Sequence, residues 1–401
     1  MFNSLKFKVI LFGFIFTFFS SFGQSYFLGL FNSSIREALS ITHGQFGSIY
    51  ASATLCSSLL LIWVGKKIDD VNIFKFAFFV TILLSFACFF FSRVTSVFLL
   101  FIAIFLMRFS GQGMMSHTAS TTISRYFTKT RGRALSISWF GLSSAEFIMP
   151  VLMVYLLTII DWQNLWLIFS ISVLIILPIA SFLLIKNLNL DSREANDENI
   201  KHVEIKQWRR RDVLKDYRFY IISSNMLAMP WIFTGFAVFQ SFVQTSKGWG
   251  PYVIAQSFMS YSIFSVLTLF LSGFLIDKFT SRKLLVYMNI PLLLSVIVLF
   301  FFDTPITAFL FLGLVGISNG FANILGSSTW AELYGVKYLG SIKALTTALM
   351  VFATAFGTAL FGYLIDIGFT VGDIAVVSGT YIFISLILLF LVRKKLNPVI
   401  I

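Results

Sequence analysis

Two ionisable side chains, Arg108 and Glu146, interrupt stretches that are otherwise almost wholly apolar: residues 97–107 precede the first and residues 147–153 follow the second. A guanidinium presents a planar fork of donors that suits a carboxylate, and a carboxyl can take up and release a proton. Helices predicted over 95–122 and 134–158 place Arg108 13 residues from the start of its helix and Glu146 12 residues from the start of the next. At about 1.5 Å per residue each lies roughly 18–20 Å from one end, the mid-depth of a bilayer. Ionisable groups at that depth are expensive and mark functional sites by default. Consecutive antiparallel helices let the two meet. Such a pair is either one that a substrate anion or a proton breaks and remakes, or a structural ion pair, whose breaking costs about 3–5 kcal/mol.

Other polar residues share these apolar runs. Gln112 follows Arg108 by four and shares its helical face, whereas His117, nine residues on, faces the other way and nearer the inner end. His117 is a candidate for proton coupling because imidazole titrates in a useful range; helix packing is the competing reading. Asn319, Asn323, Ser327 and Trp330 fall on one helical face, a stripe that suits either hydrogen bonding to a carboxylate or hydroxyl, or interhelical contacts. Ser20 and Gln24 share a face of the first apolar run, and Asn225 lies in the seventh, ahead of Pro230, which is placed to kink it.

The elements that must position these residues are twelve apolar stretches of spanning length, at approximately 8–31, 45–65, 74–92, 95–122, 134–158, 163–186, 217–245, 251–276, 284–302, 305–330, 340–363 and 373–392. The chain has 401 residues, 58% hydrophobic and 12% charged, against roughly 25% charged in a soluble chain. The first stretch is too long for a secretory signal, lacks a small-residue cleavage site, and is expected to stay as an anchor. Of 30 Lys and Arg, 26 fall in the segments on the side of the N-terminus. Only Arg36, Arg93 and Lys247 fall on the other side, and Arg108 lies within a span. This asymmetry predicts cytoplasmic termini and accounts for the net charge of +13 as a topology signal, so no nucleic-acid partner is expected. Cys56 and Cys88 lie in apolar runs and read as packing residues; three histidines lack metal-ligand spacing. No P-loop, dinucleotide fingerprint or nucleophile–base set is evident, so no enzyme activity, metal or cofactor is expected. The cluster Trp208-Arg209-Arg210-Arg211 suits anionic headgroups or a solvated linker.

Gly65-Lys-Lys-Ile-Asp69 and Gly273-Phe-Leu-Ile-Asp277 end the second and eighth stretches, at an offset of 208 residues. Phe31-Asn32-Ser33 and Phe239-Gln240-Ser241 match at the same offset. Two such matches indicate duplicated halves, an architecture in which two bundles rock about a site between them. With these motifs the chain resembles the major facilitator superfamily, whose loop after span 2 carries Gly-x-x-x-Asp-Arg-x-Gly-Arg-Arg. Gly273, Asp277, Lys278, Arg282 and Lys283 are the better copy, and the first copy has Asp70 where a base is usual. The family's fourth-span pattern, Arg-x-x-x-Gly-x-Gly, appears as Arg108-Phe-Ser-Gly111-Gln-Gly113, one residue shorter. Tyr126-Phe127-Thr-Lys129-Thr-Arg131-Gly-Arg133 and Trp330-Ala-Glu332-Leu-Tyr-Gly335 are similar to segments of monocarboxylate-porter-like and oxalate/formate-exchanger-like members.

The resemblance implies an all-α integral membrane protein of twelve transmembrane helices in two six-helix bundles, 1–186 and 217–401, joined by a cytoplasmic linker, 187–216. It implies that spans 1, 4, 7 and 10 line the cavity, with Gln24, Arg108, Asn225, Asn319 and Asn323 as substrate contacts. Glu146 and His117 are then the proton-coupling candidates, and Gly65, Asp69, Gly273, Asp277 and Arg282 the gating residues. The expected activity is secondary transport of a small, monocarboxylate-like organic anion by alternating access, proton-coupled or by exchange. The expected setting is a monomer in a bacterial plasma membrane. The alternative is efflux of amphipathic compounds by proton antiport, against which stands a fifth span with Gly141 and Pro150 but no Gly-Pro pair.

Overall fold

The computed structural model describes residues 4–127, 130–186, 206–335 and 337–398, apart from the side chains of Ser4, Asp69, Arg131, Asp277 and Ser327. Among the described residues, twelve helices are long and apolar enough to cross a membrane. They are span 1 (Leu5–Gly29), span 2 (His43–Ile68), span 3 (Ile73–Phe91), span 4 (Val97–Tyr126), span 5 (Gly132–Leu156), span 6 (Trp162–Ile185), span 7 (Tyr217–Val238), span 8 (Val253–Ile276), span 9 (Ser281–Phe301), span 10 (Ile306–Tyr334), span 11 (Leu339–Asp366) and span 12 (Val371–Lys395). Hydrocarbon offers no partner to a backbone amide, so each run closes its own hydrogen bonds as a helix. Side chains cap the starts: Thr42 and Gln45 form a capping box at span 2, Thr370 and Asp373 another at span 12, and Asn72, Ser96 and Asp216 cap spans 3, 4 and 7. Large apolar side chains such as Trp63 and Phe274 stand more than 70% exposed on the helix surfaces, as a lipid-facing surface requires. Cys88 packs in the interior, but Cys56 is exposed, which corrects its reading as a packing residue.

The chain divides into two compact units, Met1–Asp197 and Glu198–Ile401. The expected linker is partly outside the described residues. In its last part Trp208 donates its backbone N–H to the Tyr334 carbonyl and packs edge-on against the Tyr334 ring, and a short helix, Arg210–Val213, follows, with Arg209, Arg210 and Arg211 exposed. Neither reading of the Trp208–Arg211 cluster describes this docking onto the second unit.

The internal repeat extends well beyond its two sequence matches. Spans 2–6 and spans 8–12 begin at offsets of 207 to 210 residues. Phe31 and Phe239 both precede a short helix, Asn32–Leu39 and Gln240–Ser246, that continues outward from spans 1 and 7. Both units also join their first and fifth helices through small residues. A Cβ on Gly141 of span 5 would overlap the Phe14 carbonyl of span 1, and one on Gly357 of span 11 would overlap the Trp231 carbonyl of span 7. Such contacts let helix backbones approach where lipid supplies no hydrophobic drive between helices.

One glycine of the repeated motif does not behave this way. A Cβ on Gly273 would meet nothing within 4 Å, so this glycine makes no close helix approach among the described residues. Gly141→Val is expected to destabilise the protein by about 1–3 kcal/mol through overpacking. Gly273→Ala should be neutral within about 0.5 kcal/mol, as at an uncrowded position. Thermal denaturation in detergent separates them; equal melting temperatures would refute the distinction.

The two units differ in one respect that bears on the site. Span 1 is interrupted in its last third: an α-helix, Ser4–Ser20, gives way to a 3-10 turn, Ser21–Gly23; Gln24 is extended at φ −81° and ψ 150°; and a short helix, Ser25–Gly29, follows. Beside it, Arg108–Met115 of span 4 is wound as a π-helix. Span 7 runs as one helix, with Pro230 inside it. Non-helical backbone at membrane depth occurs where protein or a water-filled cavity satisfies it, and π-turns frequently mark functional sites.

Candidate functional site

The break in span 1 frees a carbonyl. Phe27 N–H, which an unbroken helix would give to Gly23, goes to Gln24 instead. The Gly23 carbonyl accepts from Arg108 Nη1 at 3.0 Å, and the same nitrogen donates to Ser25 Oγ at 3.2 Å. Tyr50 of span 2 completes the setting: its hydroxyl donates to Ser25 Oγ at 3.0 Å, and the guanidinium carbon lies 5.4 Å from its ring centroid, a cation–π arrangement. Arg108 is 4% exposed, yet its Nε has no hydrogen-bond partner. A buried, unpartnered guanidinium N–H is costly, and its presence calls for an explanation.

Glycines make the arrangement possible. A Cβ on Gly23 would overlap the Met107 carbonyl and the Gln112 amide; one on Gly111 would fall 2.6 Å from the Gly23 amide. Spans 1 and 4 therefore touch backbone to backbone where the helix of one is broken and that of the other is widened.

Glu146 of span 5 is buried at 8% exposure, and span 5 packs against both Ser21–Gly23 and Ser25–Gly29 of the break. It forms no ion pair with Arg108. The anticipated pair is thus replaced by an arginine that binds the interrupted segment of span 1 and a buried carboxyl on span 5. The reason is local: the freed Gly23 carbonyl and the Ser25 hydroxyl draw the guanidinium toward spans 1 and 2.

The remaining predicted residues are distributed. Gln24 is the extended residue of the break and is half-buried. His117 lies apart from Arg108, with Nε2 3.0 Å from the Gly65 carbonyl, and Arg125 Nη1 donates to the Ile68 carbonyl at 3.1 Å. The C-terminal half of span 4 thereby holds the 3-10 turn Gly65–Asp69 that ends span 2. The side chains of Asp69 and Asp277, expected to act as latches, lie outside the described residues.

In the second unit Asn225 is fully buried; its Nδ2 donates to Ser385 Oγ of span 12 and its carbonyl accepts from Asn289 Nδ2 of span 9. Asn319 Nδ2 donates to Ser265 Oγ of span 8 at 2.9 Å. Both fit interhelical contacts better than substrate contacts. The proposed stripe on span 10 does not hold as a single wall, because Asn323 is exposed while Trp330 is in the core with Phe219 and Tyr334.

Arg282 takes a role the motif did not specify. It pairs with Glu332 Oε1 at 2.5 Å and donates through Nη1 to the Leu396 carbonyl and Asn397 Oδ1. Arg218, paired with Asp216, donates to the carbonyls of Lys395 and Asn397. Two arginines therefore clasp the segment that follows span 12. Arg282→Ala is expected to weaken this clasp by on the order of 1.5–3 kcal/mol, the range for hydrogen bonds to a charged group. Faster amide exchange over residues 393–397 is the readout; unchanged exchange would show that Arg218 alone suffices.

Ser25, Tyr50, Gly23 and Tyr26 were not singled out from the sequence. The available signal was the run of poor helix formers Ser20, Ser21, Gly23 and Ser25 inside an otherwise apolar span.

Residues 13–357 match the family model described as Major Facilitator Superfamily. No curated protein matches the sequence. Among solved structures, a bacterial homolog of the human lysosomal transporter Spinster, in an inward-facing and occupied conformation, is similar with a TM-score of 0.76 at 14% identity, over 98% of this chain and 97% of that one. The nucleoside transporter NupG is similar with a TM-score of 0.71 at 15% identity, over 98% and 99%. At these identities the likeness is one of fold.

Proposed function

The chain belongs to the Major Facilitator Superfamily and is a multi-pass secondary transporter; from that premise we propose that its solute is a small organic anion of monocarboxylate type. Transport proceeds by alternating access, coupled to protons or by exchange, in a bacterial plasma membrane with both termini cytoplasmic. The observation that carries the reading is Arg108: a guanidinium at membrane depth, 4% exposed, with Nε unpartnered. A cation in that setting favours an anionic ligand, and its planar fork favours a carboxylate over a spherical anion. Glu146, buried and without a cationic partner, supplies a carboxyl that can carry a proton.

The test is proton flux in proteoliposomes loaded with a pH-sensitive dye and challenged with acetate, lactate, pyruvate and related carboxylates. A carboxylate-specific signal is expected. Counterflow of labelled lactate covers exchange without protons. Silence in both assays, with folded protein, would overturn the reading and turn attention to larger amphipathic solutes.

A further inference from the structure

The two units carry the same arrangement of helices but not the same chemistry. At the 208-residue offset, Ser25, Tyr50 and Arg108 of the first unit correspond to Phe233, Phe258 and Gly316 of the second. There the space is filled by rings: Phe233 stacks on Tyr261 at 4.8 Å, and Gly316 packs against the backbone of Tyr261. The corresponding stretch of span 7 is unbroken. The interruption of span 1 is therefore not something the repeated fold requires. It occurs only in the unit that holds the arginine.

Its effect on Arg108 is specific. A free guanidinium at the end of a long side chain turns among rotamers, and each unfixed torsion weakens binding. Here Nη1 is fixed by the Gly23 carbonyl and Ser25 Oγ, Ser25 is fixed by the Tyr50 hydroxyl, and the Tyr50 ring faces the guanidinium. The edge opposite Nη1, which carries Nε, is left without a partner. The carbonyl that does the fixing is available only because the helix is broken after it.

We infer that the break in span 1, with Gly23, Ser25 and Tyr50, positions Arg108 so that its Nε edge alone is offered to a carboxylate, and that these three residues set the preference for a carboxylate over a neutral isostere. This rests on the reading of Arg108 as the anion contact. None of the three is assigned a contact with substrate; each acts through Arg108. Gly23 matters twice, by giving its carbonyl and by lacking the Cβ that would collide with span 4.

Two measurements test the inference. The first uses lactate and lactamide as probes of purified protein, comparing affinity by calorimetry. Ser25→Ala is expected to weaken lactate binding about tenfold and leave lactamide binding unchanged. Ser25→Thr restores the preference, and Tyr50→Phe, which keeps the ring, falls between. A preference unchanged in both Ser25→Ala and Tyr50→Phe overturns the inference while leaving the anion reading intact.

The second needs no ligand. In a Cys56→Ser background, Gln24→Cys places a thiol at the break, and its labelling rate by a small maleimide is recorded. Releasing the Gly23 carbonyl by Arg108→Ala is expected to change that rate at least fivefold, and Ser25→Ala by less. An unchanged rate in Arg108→Ala would show that the arginine is not tied to the break and would overturn the inference. A changed rate in protein that binds no carboxylate would instead uphold the coupling of Arg108 to the break and overturn the anion reading.

Discussion

Glu146→Gln is expected to abolish proton movement with the solute while solute-for-solute exchange continues. Gln keeps the shape of the side chain and removes the group that titrates, so the variant should fold. The structure sharpens this expectation. In an ion pair with Arg108, the carboxyl would have been a structural counter-charge, and its loss would leave an uncompensated buried cation at a cost of about 3–5 kcal/mol. Arg108 is instead held through Nη1 by the Gly23 carbonyl and Ser25 Oγ and faces the Tyr50 ring, with no carboxylate partner. Glu146→Gln should therefore be no less stable than wild type, since it exchanges a buried charge without a cationic partner for a neutral amide. Proton uptake with a carboxylate, read by an internal pH dye, should fall to background, and counterflow of labelled lactate should persist. Undiminished proton uptake would remove Glu146 from the coupling mechanism.

Arg108→Lys is expected to lower carboxylate affinity by about 10–100-fold, corresponding to the roughly 1.5–3 kcal/mol of a hydrogen bond to a charged group. Charge is conserved in this exchange, so a purely electrostatic role would survive it. What is lost is the planar fork that holds one edge against span 1 while presenting the other. A lysine ammonium that reached the Gly23 carbonyl would have no second edge to offer. Arg108→Ala should abolish binding. Equal lactate affinity in wild type and Arg108→Lys, measured by calorimetry, would show that the geometry of the guanidinium is unused and that the arginine serves only as a point charge or a structural tie.

The clasp around the segment after span 12 and the hold of His117 and Arg125 on the turn Gly65–Asp69 show how differently two copies of one motif are used. In the first unit, donors on span 4 reach carbonyls of the turn. In the second, Ser281 and Arg282 at the start of span 9 reach a carboxylate, Glu332, on span 10. The motif places a loop against the inner end of a neighbouring helix in both, while the atoms that bind are supplied by whatever the neighbouring helix carries.

The sequence by itself determined the number of membrane helices, the duplication and the all-α class, because hydrocarbon imposes those consequences on any long apolar run irrespective of its neighbours. It also picked out Arg108 and Glu146, since a charge in such a run is conspicuous without any structure. The spacing Arg108-Phe-Ser-Gly111-Gln-Gly113 departs from the family pattern where the π-helix forms, so an irregularity of span 4 was legible, though its form was not. Only the tertiary structure decided what those charges face. Helical periodicity placed Gln24, Asn225, Asn319 and Asn323 on faces, but a face acquires meaning from the helix packed against it. Asn225 met Asn289 and Ser385, Asn319 met Ser265, and each became a tie within a bundle. Arg108 met a carbonyl that exists as an acceptor only because span 1 is broken. That break depends on the backbone of span 4 standing against Gly23, a contact between residues more than eighty positions apart that no local periodicity encodes.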